Sequence, residues 1–95
     1  MELHMVSRLN DHRAWDHIRA QALAGAEVQV LLLHDAVLET EASVARALGE
    51  PESNKVVVMA CVEDATRRQV PERWALVDYA GIIQRCVAAD KVTTW

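Results

Sequence analysis

The segment that most constrains the fold is Val56–Ala60, five apolar residues in a row that deliver the chain to Cys61. An uninterrupted, valine-rich run of this length predicts a strand buried on both faces, as in a parallel sheet covered by helices. Ligands of open α/β sheets bind beyond the carboxyl ends of the strands, which is where Cys61 falls. The polar stretch that follows, through Arg67 and Arg68 to Val70, has helical character. A helix starting directly after Cys61 would aim free backbone N–H groups at the sulfur and favour the thiolate. The chain is therefore expected to present this position, or to descend from proteins that do.

The remaining segments supply matching units. Glu2–Val6 is short enough for a first strand, and Asn10 or Asp11 can cap a helix. Trp15, Ile18, Ala22 and Leu23 recur at helical spacing, with Gly25 as the stop. Glu27–Leu33 reads as a second strand, alternating at first and then wholly apolar, with His34 and Asp35 at its carboxyl end. From Val37 to Leu48 the pattern is helical, with Glu39 and Glu41 near the start and Arg46 near the end, as the macrodipole favours. Gly49 and Pro51 end it, and a loop runs to Asn54. Lys55–Ala60 is the third strand, and Pro71 is expected to stop the helix after Cys61. Trp74–Val77 is a short fourth strand followed by Asp78 and Tyr79. A helix over Gly81–Ala89 carries Ile82, Ile83, Cys86 and Val87 on its apolar face, and KVTTW closes the chain as a last strand ending in Trp95. Strands alternating with helices over short connections predict one α/β domain over residues 1–95. Its architecture is a three-layer sandwich, a mostly parallel sheet of about five short strands with helices on both faces.

Composition narrows the function classes. At 52% hydrophobic and 25% charged residues the chain can bury one core and is not a disordered segment. Ten basic against fourteen acidic residues give a net charge of −4 with no basic stripe, which argues against direct nucleic-acid binding. The start, MELHMVSRLND, lacks a signal-peptide core, and no window approaches the roughly 18 apolar residues of a membrane span. A cytoplasmic location away from membranes is expected, with Cys61 and Cys86 both reduced. The four histidines are scattered, three glycines make no phosphate-binding loop, and no G-x-S-x-G elbow occurs. Neither a metal nor a cofactor is expected.

Three pieces of the chain resemble one family. CVEDATRR after an apolar strand resembles the active-cysteine segment of DsrE and TusD subunits, in which a cysteine opens a helix ending in paired arginines. VDYAG, at Val77–Gly81, with the following helix and tryptophan-terminated strand, looks like the C-terminal signature of DsrH and TusB. LHMVSR and LLLHDAVLE are similar to the same DsrH/TusB pattern, with Asp35 at the matched aspartate. The resemblance covers most of the chain and implies a DsrE/DsrF/DsrH-like sulfur-relay protein, closest to the DsrH/TusB type. Such proteins are small cytoplasmic α/β domains that assemble as homo- or hetero-oligomers. The implied partners are homologous DsrE/DsrF-like or TusC/TusD-like subunits and a small sulfur-carrier protein. The family passes sulfur as a cysteine persulfide, towards 2-thiolation of the tRNA wobble uridine or within oxidative sulfur metabolism. Three departures stand out. TusB-type subunits generally lack the relay cysteine, yet Cys61 is present here. Glu63 and Asp64 occupy positions where small residues are usual, and like-charge repulsion from them raises the thiol pKa. Ala36 replaces the glycine that normally follows the aspartate.

On the relay reading, the Cys61 thiolate attacks a donor persulfide, takes its terminal sulfur and offers it onward. His34 and Asp35 would flank the same crevice, where a histidine can tune the thiol or move protons. Each residue also has a plainer role. Cys61 and Cys86 can be small core hydrophobes, and His34 and Asp35 a pair capping the next helix. Arg67 and Arg68 can complement a helix C-terminus, and His12 and His17 can be solvated. Trp74, Tyr79 and Trp95 fit core or interface anchors. At the level of function, the alternatives are a non-catalytic structural subunit of such a complex and an unrelated small α/β binding module.

Overall fold

The computed structural model describes residues 1–71 and 73–95, which form a five-stranded, all-parallel sheet with helices on both faces. The elements in chain order are β1 (Glu2–Val6), α1 (His12–Leu23), β2 (Val28–Leu32), a 3-10 turn at His34–Leu38, α2 (Glu41–Leu48) and a 3-10 turn at Glu52–Asn54. They continue with β3 (Val57–Cys61), α3 (Val62–Arg67), β4 (Ala75–Val77), α4 (Tyr79–Ala88) and β5 (Lys91–Thr94). The expected three-layer α/β architecture is what forms.

The sheet order, β4-β3-β2-β1-β5, was not readable from the sequence pattern. From β1 to β4 every crossover steps the same way. The last connection reverses and carries the chain from β4 back past the other three strands to the far side of β1. With right-handed crossovers, this reversal places α4 on the face opposite α1 and α2. Packing agrees. Trp15 and Ile18 of α1 and Val44 and Leu48 of α2 share one core with Val6, Val30, Leu32 and Ala60. The alternate residues Leu3, Leu31, Met59, Cys61 and Val77 share the other core with Ile82 of α4. This is the period-two division of strands buried on both sides.

The two faces are not equally covered. One helix of ten residues lies on the second face, and its outer ridge is apolar: Ile83 is 64% and Val87 82% exposed. Val57 and Val92 are also exposed. They share the sides of their strands with Met59 and, across the β1–β5 register, with Leu3. The apolar spacing of Ile82, Ile83, Cys86 and Val87 is therefore real, but Ile82 alone among them is buried.

Several boundaries differ from the sequence reading for local reasons. The helix expected over Val37–Leu48 is broken at Glu39–Thr40. Thr40 caps α2 by accepting the Ser43 N–H, and the Ser43 hydroxyl oxygen accepts the Thr40 N–H in return. Glu39 leaves the helical path and is buried, accepting the Asn10 N–H at 2.9 Å and the Ser43 hydroxyl at 2.7 Å. Its carbonyl accepts the Trp74 indole N–H at 3.0 Å. Pro71 does not stop α3. The helix ends at Arg67 because Gln69 turns left-handed, at φ 54°, letting Gln69 N–H reach the Thr66 carbonyl and Val70 N–H the Ala65 carbonyl. The same closure ends α1, there with Gly25 at φ 85° as anticipated, while Leu23 faces solvent. Asp11 rather than Asn10 caps α1, accepting the Ala14 N–H. Helix α4 begins two residues early because Asp78 caps it, accepting the Gly81 N–H at 2.8 Å.

Candidate functional site

Helix α3 leaves β3 towards the α1–α2 side, where Val70 beyond it packs, whereas α4 leaves β4 towards the other face. Neighbouring strands whose outgoing connections part to opposite faces open a crevice at their carboxyl ends. Here those ends are Cys61 and Val77, which are paired in register. The valine run thus delivers Cys61 to the topological switch point of the sheet.

The crevice is closed over the sulfur. Cys61 is 0% exposed, enclosed in the core that Ile82 of α4 completes. Its thiol donates to Glu63 Oε1 at 3.5 Å, and Glu63 Oε2 accepts the Tyr79 N–H at 3.4 Å. One carboxylate therefore ties the start of α3 to the start of α4. Burial pushes the Cys61 thiol above its ordinary pKa. The backbone N–H groups of Asp64 and Glu63 pull the other way, as expected at a helix start, while the Asp64 charge and the Glu63 contact add to the rise. Burial wins, and the group is a thiol at neutral pH.

Beside it lies a polar cluster centred on Asp64, which is 2% exposed. Asp64 Oδ2 accepts the His34 backbone N–H at 2.9 Å. Its Oδ1 has no hydrogen bond and is balanced by the guanidinium groups of Arg67 at 3.5 Å and Arg68 at 3.7 Å. Arg68 Nε donates to Asp35 Oδ1 at 3.0 Å, so one arginine links the carboxylate pair. Burial alone would raise the Asp64 pKa, but the His34 N–H, the Cys61 thiol and the nearby positive charges together hold it below the usual carboxylate value. His34 itself sits at φ 48°, a left-handed conformation that a side chain rarely adopts, and Asp64 is what grips its backbone.

The structure thus brings His34 and Asp35 to the same end of the sheet as Cys61, but by way of Asp64. Among the described residues the sulfur's side-chain hydrogen-bond partner is Glu63, and neither His34 nor Asp35 bonds to it. His34 and Asp35 lie within the 3-10 turn and do not cap α2, whose cap is Thr40. Arg67 and Arg68 turn back to acidic side chains, although Arg68 Nη1 also reaches the Asp64 carbonyl at 3.5 Å. In the sequence Asp64, the hub, reads only as a charge near the thiol. Its spacing to Arg67 and Arg68, three and four residues on, is the signal that could have marked the ion pairs. The bond to His34 has no sequence signature.

Among the described residues no group of histidine, cysteine and carboxylate side chains is placed to hold a metal ion, and no helix is long and apolar enough to cross a membrane. Compared with known proteins, the chain matches no family model and no curated sequence.

Proposed function

We propose that this chain is a DsrH/TusB-like subunit of a cytoplasmic sulfur-relay assembly, serving tRNA wobble-uridine 2-thiolation or oxidative sulfur metabolism, and that its own part is structural. The observation that carries the structural role is the state of Cys61. A relay sulfur needs access and thiolate character, whereas this one is enclosed and its pKa is raised by burial. The thin second face supports the same reading. Ile83 and Val87 on α4, with Tyr79, Val57 and Val92, offer apolar surface suited to a homologous subunit. The net charge of −4 suits protein partners better than a nucleic-acid backbone.

Persulfide carriage by Cys61 is the second reading. It is favoured by the position of the sulfur at the switch point and by the N–H groups of Glu63 and Asp64, which draw it towards thiolate. On that reading Glu63 and α4 move aside when a donor docks.

The test combines two measurements on wild type and Cys61→Ser. One is intact mass after incubation with a persulfide donor; the other is thiol titration in the native and urea-unfolded states. The structural role is expected to give no sulfur gain at Cys61 and modification of this thiol only on unfolding. A gain of ~32 Da that disappears in Cys61→Ser would make the residue a carrier. Co-expression with DsrE/DsrF-like or TusC/TusD-like subunits is expected to yield one co-eluting particle. Failure to associate, together with failure to take up sulfur, would leave an unrelated α/β binding module.

A further inference from the structure

Another polar side chain is buried on the opposite face of the sheet from Cys61. His4, in the middle of β1, is 0% exposed, and both of its ring nitrogens are engaged. The Trp95 indole N–H meets Nδ1 at 3.0 Å, and Gln21 Oε1 of α1 meets Nε2 at 2.6 Å. An indole can only donate. Nδ1 must therefore hold a lone pair, and the single ring proton sits on Nε2, donating to Gln21. The imidazole is locked as one neutral tautomer. The two rings lie nearly in one plane, 19° apart with centroids 6.1 Å from each other, as a bond to the in-plane lone pair requires, and His17 of α1 packs against both rings. Trp95 follows β5, an edge strand, and its backbone N–H to the Met5 carbonyl, at 2.9 Å, extends the β1–β5 ladder.

We propose that His4 is a proton-operated latch on the end of β5: neutral, it holds the Trp95 indole; protonated, it releases it. The reason is donor and acceptor count. A second proton can go only to Nδ1, which turns the acceptor into a donor pointing at another donor. Trp95 then loses its partner, and the ladder beyond Thr94 loosens. The titratable and charged groups facing His4 are Glu2 on its own strand, His17 on α1 and Lys91 on β5; its register partners Val30 on β2 and Thr93 on β5 carry no charge. Burial lowers the pKa of His4 below the ordinary histidine value, His17 and Lys91 lower it further, and Gln21 and Glu2 oppose them. The sign follows: the neutral latch is fully set above about pH 6.5, the unfolded value, and is lost as pH falls through the lower folded one.

The experiment follows the Trp95 indole N–H and the His4 ring protons by NMR between pH 8 and the onset of acid unfolding, in wild type, His4→Gln, His17→Gln and Trp95→Phe. The wild-type indole signal is expected to pass through one single-proton transition centred below about 6.5, with helical circular dichroism unchanged. Gln at position 4 can accept from the indole at every pH, so His4→Gln should show no transition. His17→Gln should keep it. Trp95→Phe removes the competing N–H and should raise the pKa of His4. Persistence of the indole transition in His4→Gln, its loss in His17→Gln, an unchanged His4 pKa in Trp95→Phe, or helix loss at the same midpoint would each overturn the latch.

Discussion

Replacing Asp64 by alanine tests whether the polar cluster at the strand ends is held from its centre. The loss can be built up from contacts. The bond from the His34 N–H to the Asp64 carboxylate is charge-assisted and well formed at 2.9 Å, worth about 1.5–3 kcal/mol. Arg67 is mostly exposed, and its pair with Asp64 adds at most about 1 kcal/mol. Arg68 keeps Asp35 as a partner and is not left alone. The sum is a destabilisation of about 3 kcal/mol, or a fall in Tm of roughly 12–24 °C for a domain of this size. Asp64→Asn keeps an acceptor for His34 but not the charge, and should lose about half as much. Urea unfolding at pH 7 followed by tryptophan fluorescence measures both. Because the folded pKa of Asp64 is depressed, its charge contributes in full above the ordinary carboxylate value of about 3.9 and is lost as pH falls through the lower folded value. The gap between wild type and Asp64→Asn should therefore narrow below about pH 4. An alanine variant within about 0.5 kcal/mol of wild type would refute the assignment of Asp64 as the hub, since that is the scatter of ordinary surface changes.

Two further substitutions probe backbone sites. Gln69→Gly removes left-handed strain at φ 54°, offset in part by the greater freedom of glycine when unfolded. A gain of about 0.5–1 kcal/mol is expected, seen as a higher Tm by calorimetry. Gly81→Ala would place a methyl group 2.7 Å from Val77 Cγ1 at the start of α4. Overpacking there should cost about 1–3 kcal/mol in urea unfolding despite the better helix propensity of alanine.

What was legible in the sequence is what repeats with a period. The run Val56–Ala60 and the strand at Glu2–Val6 declared themselves through unbroken or alternating apolar residues, and Gly25 marked a helix end because glycine is the residue that left-handed closure favours. Gln69 makes the same closure without glycine, so Pro71 took its place as the apparent stop. The Val37–Leu48 pattern hid a break because its apolar spacing continues through Glu39, whose burial depends on Asn10, Ser43 and Trp74. The positions of Cys61, His34 and Asp35 at strand ends were legible. Their mutual arrangement was not, because it rests on a bond between the backbone at 34 and a side chain at 64, and pattern carries no information on such pairs.

The single helix over the second face gives Cys61 the role of a built-in clock. While α4 is seated, a modifying reagent cannot reach the sulfur; when the helix lifts, the thiol reacts at the rate of an ordinary cysteine. With reclosing faster than the reaction, the observed rate divided by the rate of the exposed thiol is the equilibrium constant for lifting this helix. A partner seated on Ile83 and Val87 would slow that clock in proportion to how firmly it holds α4 down, so the buried sulfur reports occupancy of a surface it never touches.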